Sequence, residues 1–566
     1  MDGYSADGVM SGIQGTNGCG DAQFPGLWSS PEGRQNIDIG KQIFCNSAVN
    51  MKNIVAVGFD MDYTLAQYKA DTFESLAYDG TVEKLVSNLG YPAELLKWSF
   101  DWTYMVRGLV LDKKRGNILK MDRHKYVKVA YHGFRLISKN EKVSTYGNSF
   151  VRDAFDGPDY AHIDTLFSLA EAYLFAQLVD FKDNNPGKIP EEKDCNWLKN
   201  IHSICRGIHL IAINFLVLTL AFQIQVCYSH LYNDVRSAVD MCHRDGTLKT
   251  LVAKDIKKYI NEDNSIVPML KMLKTSGRAV FLVTNSLWDY TNVVMNFVCG
   301  TQTKNGDSSP SLDWLQHFDF VITGSAKPGF FHDVNRANLF AVETESGKLI
   351  NTDNGTPLAQ VGCPDLDLPD HIPKQCKVFQ GGNVGHLHKL LNVGSSSQVL
   401  YVGDHIYGDI LRSKKILGWR TMLVVPELEK EVQVLASSRD TRKKLQLLRS
   451  ERDQIEDQTH HLKWSLEHEN LDVGEKEKIS AKLEVLEGQR ARVRAAHQES
   501  QRIFHQKFHP VWGQLMKTGY QNSRFAHQVE RFACLYTSQV GNLGLYSPAK
   551  YYRPSEDFMP HEADIL

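Results

Sequence analysis

Residues 54–59, Ile-Val-Ala-Val-Gly-Phe, form a short unbroken apolar run that stops at Asp60, and the chain repeats this plan three times. Ala279–Val283 leads into Thr284-Asn285-Ser286, 318–322 leads into Thr323-Gly324, and 398–402 leads into Gly403-Asp404. A strand that is apolar at every position, not at alternate ones, is covered on both faces, which is the condition of a parallel sheet. Helical sequence separates the runs, and each ends in small or polar residues. The predicted fold is therefore an α/β doubly wound, Rossmann-like parallel sheet whose ligands sit at the carboxyl ends of the strands.

The first two runs lie too far apart for a single crossover, so the intervening sequence predicts an inserted cap domain. The expected organisation is a disordered tail over 1–40, a first core part over 41–74 and a cap over 75–250. A second core part over 251–430, a helical extension over 431–530 and a C-terminal segment over 531–566 follow. The tail is rich in Gly, Ser, Asp and Asn and lacks the basic and apolar regions of a secretory signal. Within 445–493, Leu448, Ile455 and Leu462 recur every seven residues, and Ile479, Leu483, Leu486 and Val493 make a second helical stripe. With Asp472-Val473-Gly474 as the turn, this reads as an antiparallel helical hairpin, serving either a homo-oligomer or a helical arm packed on its own core.

Residues 208–227 are apolar over nearly the ~20 residues a bilayer requires. His209, Asn214, Gln223 and Gln225 interrupt the run, and a span here would have to leave from inside the cap. A buried element, or sequence foreign to the fold such as a translated intron, is favoured over a membrane segment. The formal net charge of −2, from 64 basic and 66 acidic residues, offers no global attraction to a nucleic-acid polymer or an anionic membrane. Ten cysteines without a C-x-x-C pair predict reduced thiols in a cytoplasmic protein.

The chemistry lies at the strand ends. Asp60 and Asp62 stand two residues apart, suited to nucleophilic attack on phosphorus by Asp60 and to acid–base work by Asp62. Two carboxylates so close to a phosphate call for a cation. Thr284 offers a hydroxyl, and the amides around Asn285 and Ser286 suit phosphate oxygens. Lys327 brings a point positive charge, and Asp404 and Asp409 add oxygen ligands for Mg²⁺.

This chain order of nucleophile, hydroxyl, lysine and metal carboxylates resembles the four motifs of the haloacid-dehalogenase superfamily, and the second Asp resembles its phosphatases. Gly-Phe-Asp-Met-Asp-Tyr-Thr-Leu-Ala (58–66), Thr-Leu-Phe (165–167), Gly-Asp-His-Ile-Tyr-Gly-Asp-Ile-Leu (403–411) and Gly-Trp-Arg-Thr (418–421) are similar to the cytosolic purine 5′-nucleotidase family. The likeness covers about residues 38–430 and, more loosely, 525–562. It implies Mg²⁺-dependent hydrolysis of purine nucleoside monophosphates, with Phe167 stacking on the base and Arg236, Asp240, His243 and Lys249 making base and phosphate-side contacts. Arg236 and Asp240 also lie one helical turn apart, where a surface ion pair is the plainer reading. The family's effector site is matched by Tyr407, Lys415 and Arg152, whereas Asp164 replaces an amide. Two other functions compete: a phosphatase for another small phosphoester, and a catalytically idle scaffold acting through the hairpin. The complete set of Asp60, Asp62, Thr284, Lys327, Asp404 and Asp409 favours an enzyme.

Overall fold

A computed structural model of the chain describes residues 37–147, 155–190, 228–300, 311–332, 334–352, 378–391 and 393–555. The expected tail up to residue 36, Arg152, the apolar block 208–227 and the segment 559–562 lie outside the described residues.

The strands β1 (Phe44–Cys45), β2 (Ala56–Phe59), β3 (Ala279–Val283), β4 (Phe320–Thr323), β5 (Leu339–Val342), β6 (Leu349–Asn351), β7 (Val378–Gly381), β8 (Val399–Gly403), β9 (Arg420–Val424) and β10 (Leu535–Thr537) form one sheet. Their order is β1-β10-β9-β8-β2-β3-β4-β7-β5-β6. From β10 to β7 all neighbours are parallel, and β1, β5 and β6 close the two edges antiparallel. The four apolar runs are thus adjacent strands at the centre of the sheet. Every residue of β2, β4 and β8 is buried, which accounts for their unbroken apolar sequence. Val57, Phe59, Leu282, Val321 and Val402 pack into the core on one face, and Ala56, Phe281, Ile322 and Tyr401 into the core on the other. This is the period-two alternation of a strand, with both faces covered.

After β2 the chain winds to one side through β3, β4 and β7, then returns to the other side of β2 through β8, β9 and β10. The winding reverses at β2, so a crevice opens at its carboxyl end, where Asp60 stands.

Between β2 and β3 the chain builds a separate body with its own core. Helix α1 (Ser75–Leu89) precedes a five-stranded antiparallel sheet of Leu109–Asp112, Asn117–Met121, Val127–His132, Arg135–Leu136 and Tyr160–Ile163. Helices α2 (Leu169–Asn184) and α3 (Ser229–Arg244) follow. Tyr78 and Leu85 of α1, Leu109 and Leu111 of the sheet, and Phe175 and Val235 of the later helices share one cluster. Leu231, Val235, Ala238 and Cys242 recur at helical spacing and form the buried stripe of α3. Arg236, Asp240 and His243 are thereby left off that stripe.

Beyond β9 the hairpin consists of α4 (Arg439–His468) and α5 (Val473–Gln506), roughly 45–50 Å long at 1.5 Å per residue. Ile455, Leu486 and Val493 are buried between them, flanked by Leu448 and Leu462. Asp472 caps α5 in a reciprocal box with Glu475, which ends the turn and starts the second helix. The arm is tied to its own chain at the base: Arg449 lies 4.2 Å over the Tyr520 ring, and the Tyr520 hydroxyl meets His497. Helix α6 (Arg524–Phe532) then returns the chain to β10. Among the described residues no helix is long and apolar enough to cross a membrane.

Candidate active site

Asp60 continues β2 by one residue, its N–H donating to Val402 O at 2.9 Å. Sheet pairing therefore fixes its backbone, and Oδ1 accepts from Met61 N at 2.7 Å. Lys327, from the loop after β4, brings Nζ to 2.7 Å from Oδ1 of Asp60 and 2.8 Å from Oδ1 of Asp409. The same Nζ donates to the Tyr401 hydroxyl at 3.1 Å, and that hydroxyl donates to Val283 O at 3.1 Å. The ammonium is thus aimed by a residue of β8 as well as by its own loop.

Asn285 holds that loop from the end of β3. Its Oδ1 accepts from Lys327 N at 2.6 Å and from the Ser325 hydroxyl at 3.0 Å, while Nδ2 donates to Lys327 O at 3.1 Å. Thr284 is fully buried, and its Oγ1 accepts from Ser286 N at 3.0 Å. The Ser286 hydroxyl donates to Oδ2 of Asp62 at 3.0 Å, and Tyr68 donates to Oδ1 at 2.6 Å. Tyr290 extends this line, its hydroxyl 2.9 Å from that of Tyr68. Asp62 is therefore oriented by two donors whose positions its own motif does not reveal.

The turn after β8 carries Asp404 and Asp409. Oδ2 of Asp409 accepts from His405 N at 3.2 Å and folds back over the strand end. A Cβ on residue 403 would lie 2.5 Å from that oxygen, so glycine is required there. Ligand atoms of Asp60, Asp404 and Asp409 all lie within 4.8 Å of one another, and Oδ2 of Asp404 is buried without a hydrogen-bond partner among the described residues. An all-oxygen set with an orphaned carboxylate oxygen fits a hard divalent cation such as Mg²⁺.

The electrostatics agree. Burial first, and the neighbouring carboxylates of Asp409 and Asp62, push Asp60 up to about 8 against the pull of Lys327. Asp404 is held well above the carboxylate range by burial and by Asp409 and Asp60. Lys327 is itself buried, but Asp409 and Asp60 keep it charged. Three carboxylates round one ammonium resist ionising together, and a bound cation would relieve that resistance.

The inserted body supplies the other wall. Phe167 packs edge-on against Tyr63, with ring centroids 4.7 Å apart, and also meets Tyr68 and Phe73. Lys249 lies 5.3 Å over the Tyr290 ring, which links it to the Tyr68–Asp62 line. The pKa of His243 is lowered by desolvation and then by the charges of Lys249 and Arg236, while Asp240 and Asp62 oppose the shift. Phe167 and Lys249 thus adjoin the Tyr68–Tyr290 line that reaches Asp62, and the His243 imidazole feels the Asp62 charge. Arg236 is engaged twice, with Glu171 at 3.0 Å and with Asp240 at 3.1 Å, so the turn-spaced ion pair is present.

Of the effector-site candidates, Tyr407 accepts from Arg524 at 2.8 Å and from Gln528 at 2.6 Å, and Arg524 pairs with Asp164 at 3.3 Å. Sequence reasoning missed Tyr68, Tyr290, Tyr401, Glu74 and Arg107. Tyr68, six residues after Asp62, Tyr290, four after Ser286, and Tyr401, three before Asp404, stood close to motifs; Glu74 and Arg107 did not.

Fold and site together define an α/β protein with a carboxylate–lysine centre at the switch point of a parallel sheet. A family model described as the 5′ nucleotidase family matches residues 43–564, and the chain belongs to that family. It is 28% identical over 532 residues to a 5′-nucleotidase domain-containing protein of Dictyostelium discoideum, covering 92% of this chain and 75% of that protein. It is 26% identical over 533 residues to 5′-nucleotidase domain-containing protein 2 of Rattus norvegicus, covering 92% and 80%. The Homo sapiens protein of the same name is 25% identical over 536 residues, covering 92% and 85%.

Proposed function

We propose that this protein is a Mg²⁺-dependent phosphatase of the haloacid-dehalogenase type that hydrolyses purine nucleoside 5′-monophosphates, IMP and GMP foremost, in the cytoplasm. The observation that carries the reading is the Lys327 ammonium between Asp60 and Asp409, beside Asp404, at the carboxyl end of β2.

In this reading an Asp60 oxygen attacks phosphorus as the ester P–O bond breaks, giving an aspartyl phosphate. Asp62 gives its proton to the departing nucleoside oxygen, then takes one from the water that hydrolyses the acyl phosphate. Tyr68 and Ser286 fix the Asp62 carboxylate for both transfers. Lys327 and the donors around Thr284, Asn285 and Ser286 bind phosphate oxygens. Asp60, Asp404, Asp409 and the main-chain carbonyl of Asp62 would hold Mg²⁺, which would supply positive charge where a phosphate anion and a carboxylate meet.

Phe167 stacks on the base, and Arg236, Asp240, His243 and Lys249 select it. The engagement of Arg236 by Glu171 and Asp240 favours one alternative, another small phosphoester, because a guanidinium already paired reads a base less freely. Phosphate release from a panel of purine and pyrimidine monophosphates and sugar phosphates separates the two. IMP and GMP as the best substrates support the proposal; a sugar phosphate as the best substrate contradicts the nucleotide reading.

A further inference from the structure

Arg107 belongs to the inserted body, yet its side chain is fully buried and reaches the catalytic core. Nε and Nη2 form a two-pronged bond to Glu427, at 2.8 and 2.6 Å, in the turn after β9. Nη1 donates to the main-chain carbonyl of Asp404 at 3.1 Å. The guanidinium also lies 5.3 Å over the Phe525 ring of α6. The approach is close: a Cβ on Gly108 would meet the Cβ of Phe525 at 2.5 Å, and Gly108 has a φ of +84°.

We propose that Arg107 is a positioning residue for the Asp60–Asp404–Asp409 centre, so that metal retention depends on how the inserted body seats on the core. The inference rests on the metal reading given above. Its chemistry is that of an outer hydrogen bond fixing an inner ligand. Among the described residues one carboxylate oxygen of Asp404 has no hydrogen-bond partner, whereas its backbone is clamped by a planar cation whose remaining donors are anchored on Glu427. Arginine is required because one group must span two acceptors on different elements. A lysine ammonium of similar charge reaches only one of them in the same geometry. The inserted body thereby contributes to the metal site without supplying a ligand.

The test is Mn²⁺ titrated alone into nucleotide-free protein, with free ion read by its EPR signal, for wild type, Arg107→Lys, Glu427→Gln and Asp404→Asn. We expect Arg107→Lys to weaken Mn²⁺ binding about tenfold, a typical loss for an outer partner of a ligand. Glu427→Gln, at a half-buried position, weakens it less, and Asp404→Asn most. The loss of turnover in Arg107→Lys is recovered by raising Mg²⁺, which a misfolded variant or a damaged base pocket does not allow. Unchanged Mn²⁺ affinity in both Arg107→Lys and Glu427→Gln overturns the role of Arg107 while leaving the metal site intact. Failure of wild type itself to bind Mn²⁺ removes the metal reading and the positioning role with it.

Discussion

Lys327 Nζ sits 2.7 Å from Oδ1 of Asp60, the two residues arriving from the carboxyl ends of strands that are not neighbours in the sheet. β3 separates them, and the residue after β3, Thr284, is fully buried. The ion pair thus reaches across the carboxyl end of β3 and stands at the centre of the proposed phosphate site.

Replacing Asp60 by asparagine keeps the shape and removes the nucleophile. Turnover is expected to fall by on the order of 10³ or more, with the thermal midpoint unchanged or raised, since a neutral amide relieves carboxylate crowding. Steady-state kinetics and a melting curve on the same preparation check both halves.

Chelation should silence the protein and Mg²⁺ restore it, because three crowded carboxylates bring excess negative charge to the same place as the phosphate. Full activity in excess chelator contradicts the metal assignment.

The sheet was legible because parallel strands buried on both faces leave continuous apolar runs, and Ala279–Val283 was located to the residue. The strand-end candidates were readable for a related reason: a carboxylate that terminates such a run stands where a parallel sheet places its ligands. The contacts of Tyr290, Tyr401 and Arg107 were not legible. Each acts through a contact between elements distant in sequence, and nothing local distinguishes an aromatic or arginine that finds such a partner from one that only packs. Arg236 shows the converse. Its spacing to Asp240 was readable, but its second partner, Glu171, comes from another helix.

Glu74 gives a pH signature. It is buried, accepts from the Tyr63 hydroxyl through Oε1, leaves Oε2 unpartnered among the described residues, and is pushed up to about 8 by desolvation. A carboxyl whose folded pKa lies above its unfolded value of 4.5 binds a proton preferentially in the folded state. Its stabilising contribution is therefore complete below about 4.5 and is lost as the pH rises through about 8. Glu74→Gln, which keeps the acceptor for Tyr63, should flatten that decline and exceed wild type by on the order of a few kcal/mol at pH 9. Denaturant melts from pH 5 to 9 measure it; parallel curves for the two proteins would falsify the assignment.

Base selection is tested by Arg236→Ala and Asp240→Ala. A 6-oxo purine offers an acceptor O6 to arginine and a donor N1–H to aspartate, a pattern that adenine reverses. IMP and GMP should therefore lead AMP, with pyrimidine monophosphates last, since stacking on Phe167 is worth ~1–3 kcal/mol and rewards the larger ring. Both substitutions should compress the ranking while sparing a small generic phosphoester. An unchanged ranking in both variants contradicts this role for α3.

The covalent step at Asp60 is the centre of the account, and acid-quenched mass spectrometry during turnover of IMP with Mg²⁺ tests it most directly. The account predicts a phosphoryl adduct on the peptide containing Asp60, absent from Asp60→Asn and present at the steady-state level within the first turnover. Rapid phosphate release by wild type with no adduct on that peptide, or equal release by Asp60→Asn, would contradict it.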